Sequence, residues 1–485
     1  MTFAQPPVLR IFFATEMWER YGFYVVQTLL ALYLALHFQW PDHQIYILVS
    51  SFTALTYLSP LLGGWIADHL LGQKTSIILG SITLFSSYLF LSSVYSQHSL
   101  CLALSGIVVG NGLLKPNISS LLGNAYPENS PNRENGFMIF YIGLTIGIIL
   151  GTTLPSIISQ HFGWPAAFIS AALGMVIALS VFVFGIFRYA INDYQESEHN
   201  FKNTLIAITL MVGMWFASMY ILTSPHIADI AVLSVVVGAF VYFVRCALRE
   251  SPAQARRTVV LGILCVISVL FWAFYFQMFT SLTLFILRTV KPTLFGFSFP
   301  PPYYVGLQSF GMIVFGIIMS RAPKQYDTVT QQIVHASNKF VMSMLCLTVS
   351  YGLIVWISVA NNNNALISPG YLIPAYLVIS MAELLLSPVG LSAVTILSSR
   401  KTVSTMMGIF FVSLGVGAYL SGKLAGLTSI DTDQLLATNI KSHYAGSFTT
   451  IFYILIAASA LAAVLNFLVQ VLLRQAEQSV MDDHL

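Results

Sequence analysis

Charge is what this chain has least of. Of its 485 residues only 8% are Asp, Glu, Lys or Arg, against about 25% in soluble globular domains. That scarcity excludes a chain built mainly to face water, and no stretch is polar enough for a sizeable soluble domain. Cysteine is sparse too. Cys101, Cys246, Cys265 and Cys346 are scattered, with no Cys-x-x-Cys pair, so they read as small apolar packing residues. The ten histidines form no His-x-x-x-His pair and lie mostly near the ends of apolar runs, so no metal site is expected. No constellation of nucleophile, metal or acid–base pair suggests an enzyme. No cofactor and no nucleic-acid partner are expected.

Apolar side chains are abundant, at 57% of the chain, with a mean hydropathy of +0.80. A helix needs about 20 such residues to cross a bilayer. Fourteen stretches qualify, near 11–37, 46–68, 75–95, 99–122, 136–160, 165–189, 203–223, 227–246, 257–287, 303–321, 338–359, 371–398, 402–422 and 446–473. Several contain Gly or Pro, which membrane helices tolerate when neighbours satisfy the backbone. The first run is too long for the apolar region of a cleavable signal and carries charges within it. It reads as the first membrane helix.

Lys and Arg in the connecting segments set the orientation. With the N-terminus inside, Arg10, Lys74, Arg133, Arg188, Lys202, Arg245, Arg249, Arg256, Arg257, Arg321, Lys324, Lys339, Arg400, Lys401 and Arg474 all face the cytoplasm. Only Arg288, Lys291, Lys423 and Lys441 fall outside, and Arg20 and Lys115 lie within spans. Both termini are therefore expected in the cytoplasm. The polar segments Arg188–Lys202 and Arg245–Arg257 bracket two spans whose only charge is Asp229, near the tip between them. The pattern is six, two and six: an N-terminal half over residues 1–190, an inserted hairpin with linkers over 191–250, and a C-terminal half over 251–485. Two repeated halves fit a transporter. The loop GGWIADHLLGQK, Gly63–Lys74, resembles the signature loop of the major facilitator superfamily. Its Asp68 would lie near the positive end of the next helix, unless it is an ordinary tight loop.

The charges left inside spans are the informative ones. ATEMWERYGFY, Ala14–Tyr24, carries Glu16, Glu19 and Arg20. At about 100° per residue these three share one face with Tyr24 and Gln27, opposite Trp18. Glu16 and Arg20 are spaced i, i+4 with the acid first, the favourable order. An ionised group at mid-bilayer costs roughly 2.5–3.5 kcal/mol on insertion scales. Three on one helix read as functional, or as a static ion cluster gluing helices. Lys115 in GNGLLKPNISSLLG and Glu383 in ISMAELLLSPVGLS are the other two. Pro116 follows Lys115 directly, and Pro388 lies near Glu383. Each removes a backbone donor and bends its helix. Lys115 is a counter-ion or, alternatively, a snorkelling stem. Three acids and two bases leave one negative charge, which a single proton would neutralise.

These segments together resemble the proton-dependent oligopeptide transporter family of the major facilitator superfamily. The first-helix signature E-x-x-E-R-[FY]-x-[FY]-Y stands here as Glu16, Glu19, Arg20, Tyr21, Phe23 and Tyr24. GNGLLKPNISSLLG, FWAFYFQMFTSLTLF, MAELLLSPVGLS and STMMGIFF resemble its fourth-, seventh-, tenth- and eleventh-helix motifs. The resemblance implies an all-α polytopic membrane protein with twelve core transmembrane helices in two six-helix halves, plus an inserted two-helix hairpin, fourteen in all. It implies proton-coupled import of di- and tripeptides by alternating access, in the bacterial plasma (inner) membrane, driven by the proton gradient without a cofactor.

It further implies roles. Glu16, Glu19, Arg20, Lys115 and Glu383 would couple protons. Arg20 and Lys115 would meet a peptide carboxylate, and Glu383 its amine. Tyr24, Tyr57, Thr145 and Trp272 would line the cavity, where aromatics suit a site that takes many side chains. Lys115, Glu383 and Pro388 would gate it. The chain departs from the family pattern at four places. Gln27 and Phe276 replace an ion pair of the outer gate, so no orphan charge remains. Thr145 and Gly311 stand where two Asn residues help hold peptide. Those losses leave room for another cargo on the same fold, an amino-acid derivative or a small anionic metabolite. A channel or receptor is a remote alternative, for no repeated filter is visible. Oligomeric state is not legible.

Overall fold

The structure, a computed structural model, describes residues 5–126, 132–189, 191, 193, 200–320, 329–360, 366–399, 402–430 and 437–482. The loop cations Arg321, Lys324, Arg400 and Lys401 lie outside them, as does most of the segment 190–199. The helices in chain order are α1 (Leu9–Leu36), α2 (Asp42–Ile66), α3 (Gln73–Leu91), α4 (Gln97–Asn124), α5 (Asn132–Tyr189), α6 (Phe201–Thr223) and α7 (Pro225–Arg249). There follow α8 (Pro252–Tyr275), α9 (Ser281–Thr289), α10 (Pro302–Ser320), α11 (Val329–Ala360), α12 (Ile373–Leu397), α13 (Val403–Ala425) and α14 (Ala437–Asp482). Thr293–Leu294 pairs antiparallel with Phe297–Ser298 in a small hairpin.

Among the described residues twelve helices are long and apolar enough to cross a membrane. The charged residues of α1 keep it out of that group. Helix α5 holds two of the expected spans as one broken rod. Gly163 sits at φ +81° between its arms, a left-handed backbone that glycine adopts without a Cβ clash, and Pro165 starts the second arm. Other ends are set by local chemistry. Ser96 and Ser99 form a reciprocal capping box at α4. Ser251 caps α8 ahead of Pro252, the favoured first residue of a helix. The ninth expected span, 257–287, is also interrupted. Helix α8 stops at Tyr275, Phe276–Phe279 winds into a tighter turn, and Thr280 leaves the helical region (φ −124°, ψ −102°) before α9 resumes.

The chain folds as two compact units, Met1–His37 with Ser51–Ala228, and Phe38–Ser50 with Asp229–Leu485. The divisions fall between α1 and α2, within α2 and within α7. In the first unit α1 lies along α5. Gly147 permits the approach: a Cβ there would stand 2.2 Å from the Met17 carbonyl and 2.9 Å from Arg20 Cβ. Helix α6 docks on α4 through Trp215, whose Nε1 donates to the Leu102 carbonyl at 3.0 Å. Ala207 of α6 joins an apolar cluster with Ile66, Leu70, Leu71, Val109 and Leu113. Most of α6 and α7 is exposed, with only Ala228 buried on α7. In lipid such apolar faces need no protein cover, and helix association comes from close packing and polar contacts.

Candidate functional site

Helix α1 carries its charges inward. Glu16, Glu19 and Arg20 are all buried, with Arg20 as the hub. Its Nη2 donates to Glu19 Oε1 at 2.7 Å and its Nε to Glu19 Oε2 at 2.5 Å, a two-point grip between neighbours in sequence. Glu16 Oε1 is 3.4 Å from Arg20 Nε, so the i, i+4 pair forms but is the looser of the two. Bidentate guanidinium–carboxylate pairing is among the stronger polar contacts. Arg20 also reaches α4, where Nη2 donates to Asn111 Oδ1 at 3.2 Å. Asn111 in turn donates from Nδ2 to the Thr56 carbonyl of α2 at 2.9 Å. One amide thus ties three helices to the guanidinium. Glu16 Oε2, Thr15 Oγ1 and the Tyr88 hydroxyl are buried near this cluster without a hydrogen-bond partner among the described residues.

Lys115, one turn beyond Asn111 on α4, makes no ion pair among the described residues. Its Nζ lies 4.8 Å from the centroid of the Tyr57 ring, where the π face attracts a cation. It remains within electrostatic range of Glu16, Glu19 and Arg20. Tyr24 is partly exposed and Thr145 likewise. The Thr145 hydroxyl donates to the Tyr141 carbonyl of its own helix at 2.9 Å. Gln27 donates from Nε2 to Thr53 Oγ1 at 2.9 Å, while its Oε1 is buried without a partner.

In the second unit the residues gather around the break between α8 and α9. Trp272 is buried, stacks on Phe276 at 5.3 Å between centroids and meets Tyr275 edge-on at 4.9 Å. The Trp272 Nε1 has no hydrogen-bond partner among the described residues. Glu383 on α12 is partly exposed. Its Oε2 accepts from the Tyr275 hydroxyl at 2.6 Å and from Gln308 Nε2 at 2.7 Å. Pro388 lies inside α12, one turn beyond. Gln277 braces the break, donating from Nε2 to the Ser421 carbonyl at 2.8 Å and accepting from the Ser281 hydroxyl.

Sequence reasoning missed several of these groups. Asn111, Tyr275 and Gln308 are neutral, so a search for buried charge passes over them. It also missed the tightest ion pair in the second unit. Arg288, counted as a loop cation, lies in the last turn of α9 and grips Asp42 at the start of α2 by two bonds of 2.6 and 2.7 Å. Tyr444 lies 2.9 Å from the same guanidinium, and the Ile430 N–H donates to Asp42 Oδ2 at 3.2 Å. The partners stand 246 positions apart, which no local pattern encodes. The anion at the first turn of α3 is a similar case. It is Asp193, whose Oδ1 accepts from the Lys74 N–H at 2.8 Å. Asp68 sits in the wide turn Ala67–Leu71.

A family model described as POT family matches residues 74–443. A dipeptide and tripeptide permease A of Edwardsiella piscicida is 30% identical over 439 residues, covering 88% of this chain and 87% of that protein. A dipeptide and tripeptide permease B of Salmonella typhimurium is 29% identical over 472 residues, covering 95% of each. Among solved structures, one described as showing substrate recognition in proton dependent oligopeptide transporters superposes with a TM-score of 0.83 at 26% identity, covering 96% of this chain and 99% of that one.

Proposed function

Because this chain belongs to the POT family, we propose that it is a symporter that imports di- and tripeptides with protons by alternating access. It acts as a multi-pass protein of the bacterial inner membrane, with both termini in the cytoplasm and the halves 1–190 and 251–485 as the rocking bodies. The observation that carries this reading is the buried Arg20 held by two glutamates and an amide. An arginine with more carboxylate than it can fully satisfy leaves one acid, Glu16, with an unpartnered oxygen. That acid is a place for a proton to enter and leave.

The roles follow from the chemistry. Glu16 and Glu19 exchange protons as Arg20 shifts between them and the substrate carboxylate. Lys115, which lies over the Tyr57 ring and makes no ion pair among the described residues, offers its charge to that carboxylate. Glu383 takes the peptide amine. Tyr24, Tyr57, Thr145 and Trp272 supply contact surface. Pro388, which leaves a carbonyl of α12 without its helical donor, gives that helix its bend. A ligand drives the cycle only by binding the occluded state better than the open ones.

In proteoliposomes carrying an inward proton gradient, labelled dipeptide is expected to accumulate above its outside concentration, and an ionophore that collapses the gradient should stop it. A second reading rests on Thr145 and Gly311. One hydroxyl is tied to its own helix and the other position has no side chain, so the cargo could be another amine-bearing or anionic solute. Accumulation of such a solute while dipeptide stays at equilibrium would decide for it.

A further inference from the structure

Gly311 departs from the family pattern, and its surroundings explain how. A Cβ at this position would stand 2.5 Å from Ser380 Oγ and 3.0 Å from Ser380 Cβ. No side chain fits there while Ser380 is in place. Ser380 uses the space: its hydroxyl donates to the Gln308 carbonyl at 2.7 Å. Gln308 and Gly311 are three apart on α10, and Ser380 and Glu383 are three apart on α12, so each pair shares a helix face. The helices run parallel: Tyr304 packs on Tyr376 and, one turn on, Gln308 packs on Ser380. Gly311 meets Ser380, and the Gln308 side chain meets Glu383, its Nε2 donating to Oε2 at 2.7 Å.

Glu383 Oε2 therefore has two donors, Gln308 from α10 and Tyr275 from the end of α8. Oε1 receives no hydrogen bond among the described residues. Two donors from different helices fix the plane of a carboxylate that would otherwise rotate about its last torsion. They also commit one oxygen to the scaffold.

We propose that Gln308 and Tyr275 are positioning residues for the substrate amine: they pin Oε2 of Glu383 and present Oε1 alone to the cargo. The glycine–serine contact between α10 and α12 sets the reach of Gln308. This rests on the reading of Glu383 as the amine acceptor. The polar hand of α10 has thus moved one turn, from position 311 to position 308, and it acts through the carboxylate.

Two measurements on the full-length protein test this. The first is a double-mutant cycle on dipeptide binding. Gln308→Ala is expected to weaken binding about tenfold. The same change made in Glu383→Ala should weaken it less than twofold, because the carboxylate it orients is gone. Equal effects in both backgrounds would overturn the proposal. Gly311→Ala should reproduce the loss, and Gly311→Ala with Ser380→Gly should recover most of it.

The second measurement needs no substrate. The infrared band of the Glu383 carboxyl, isolated by difference against Glu383→Gln, should shift in both Gln308→Ala and Tyr275→Phe. A band unmoved by either change would sink the pinning itself. A shifted band in a protein that binds no dipeptide would leave the pinning standing and reject the peptide cargo.

Discussion

Arg20 and Arg288 show how a single guanidinium is afforded in a chain with so few charges. Each is gripped by a carboxylate through two bonds, and each has a further polar partner from another helix. The carboxylates differ in consequence. Glu19 shares its arginine with Glu16, so the first cluster has acid in excess. Asp42 has Arg288 to itself, and its side chain is only 3% exposed, so the second is balanced. Removing one partner of a buried pair leaves an uncompensated charge, a loss of about 3–5 kcal/mol. Arg288→Ala should therefore lower the unfolding midpoint in detergent sharply. Arg288→Ala combined with Asp42→Asn should recover much of that loss. An unchanged midpoint in the single variant would remove the pair from the stabilising contacts. The two acids and the arginine of α1 could be placed on one face from the sequence alone. Their preference, Glu19 tighter than Glu16, could not, because a helical wheel gives angles and not side-chain reach.

At the scale of elements, the apolar runs were legible because each is long and nearly uncharged. Each of the fourteen expected spans overlaps an observed helix, though 75–95 overruns α3 by four residues and 257–287 is broken at Phe276–Thr280. The interruptions were legible only where a strong local signal marks them. Gly163 next to Trp164 and Pro165 announces a break. Phe276–Phe279, as apolar as its flanks, does not, yet it winds tighter and ends α8. That turn directs Tyr275 toward Glu383 and lets Gln277 reach α13. Short tighter turns inside a helix often mark hinges. At Gly163 the backbone angle itself carries the prediction. An L side chain in the left-handed region costs roughly 1–2 kcal/mol, and nothing but Pro165 Cδ crowds the site, at 3.7 Å. Gly163→Ala should lower the unfolding midpoint by backbone strain alone and leave the dipeptide affinity unchanged. A stabilised Gly163→Ala would show that the connection relaxes to another conformation.

The whole molecule is a peptide transporter of the POT family, and the proposed coupling is tested at the acids of α1. Glu19→Gln removes the acid that grips Arg20 at two points. Gradient-driven accumulation should then be lost, while exchange of labelled for unlabelled dipeptide across the same proteoliposomes continues. Full accumulation in that variant would take Glu19 out of coupling. Exchange lost as well would assign it to binding or folding. The pair α6–α7 carries none of the residues named in these steps. It rests on α4 through Trp215 and meets α13 where Tyr419 and Lys423 donate to Asp229.

The sequence by itself determined the solvent, the run of apolar helices, the family and the five ionisable groups that lie within spans, Glu16, Glu19, Arg20, Lys115 and Glu383. Those are properties of composition, period and motif, and lipid makes each of them costly to fake. Tertiary structure decided which of those groups are gripped and which are left available. It paired Arg288 with Asp42, set Lys115 on the Tyr57 ring, and gave Glu383 two neutral partners on one oxygen. The reason is distance: such bonds depend on a few tenths of an ångström between helices far apart in the chain, and that spacing is set by packing at places such as Gly147 and Gly311.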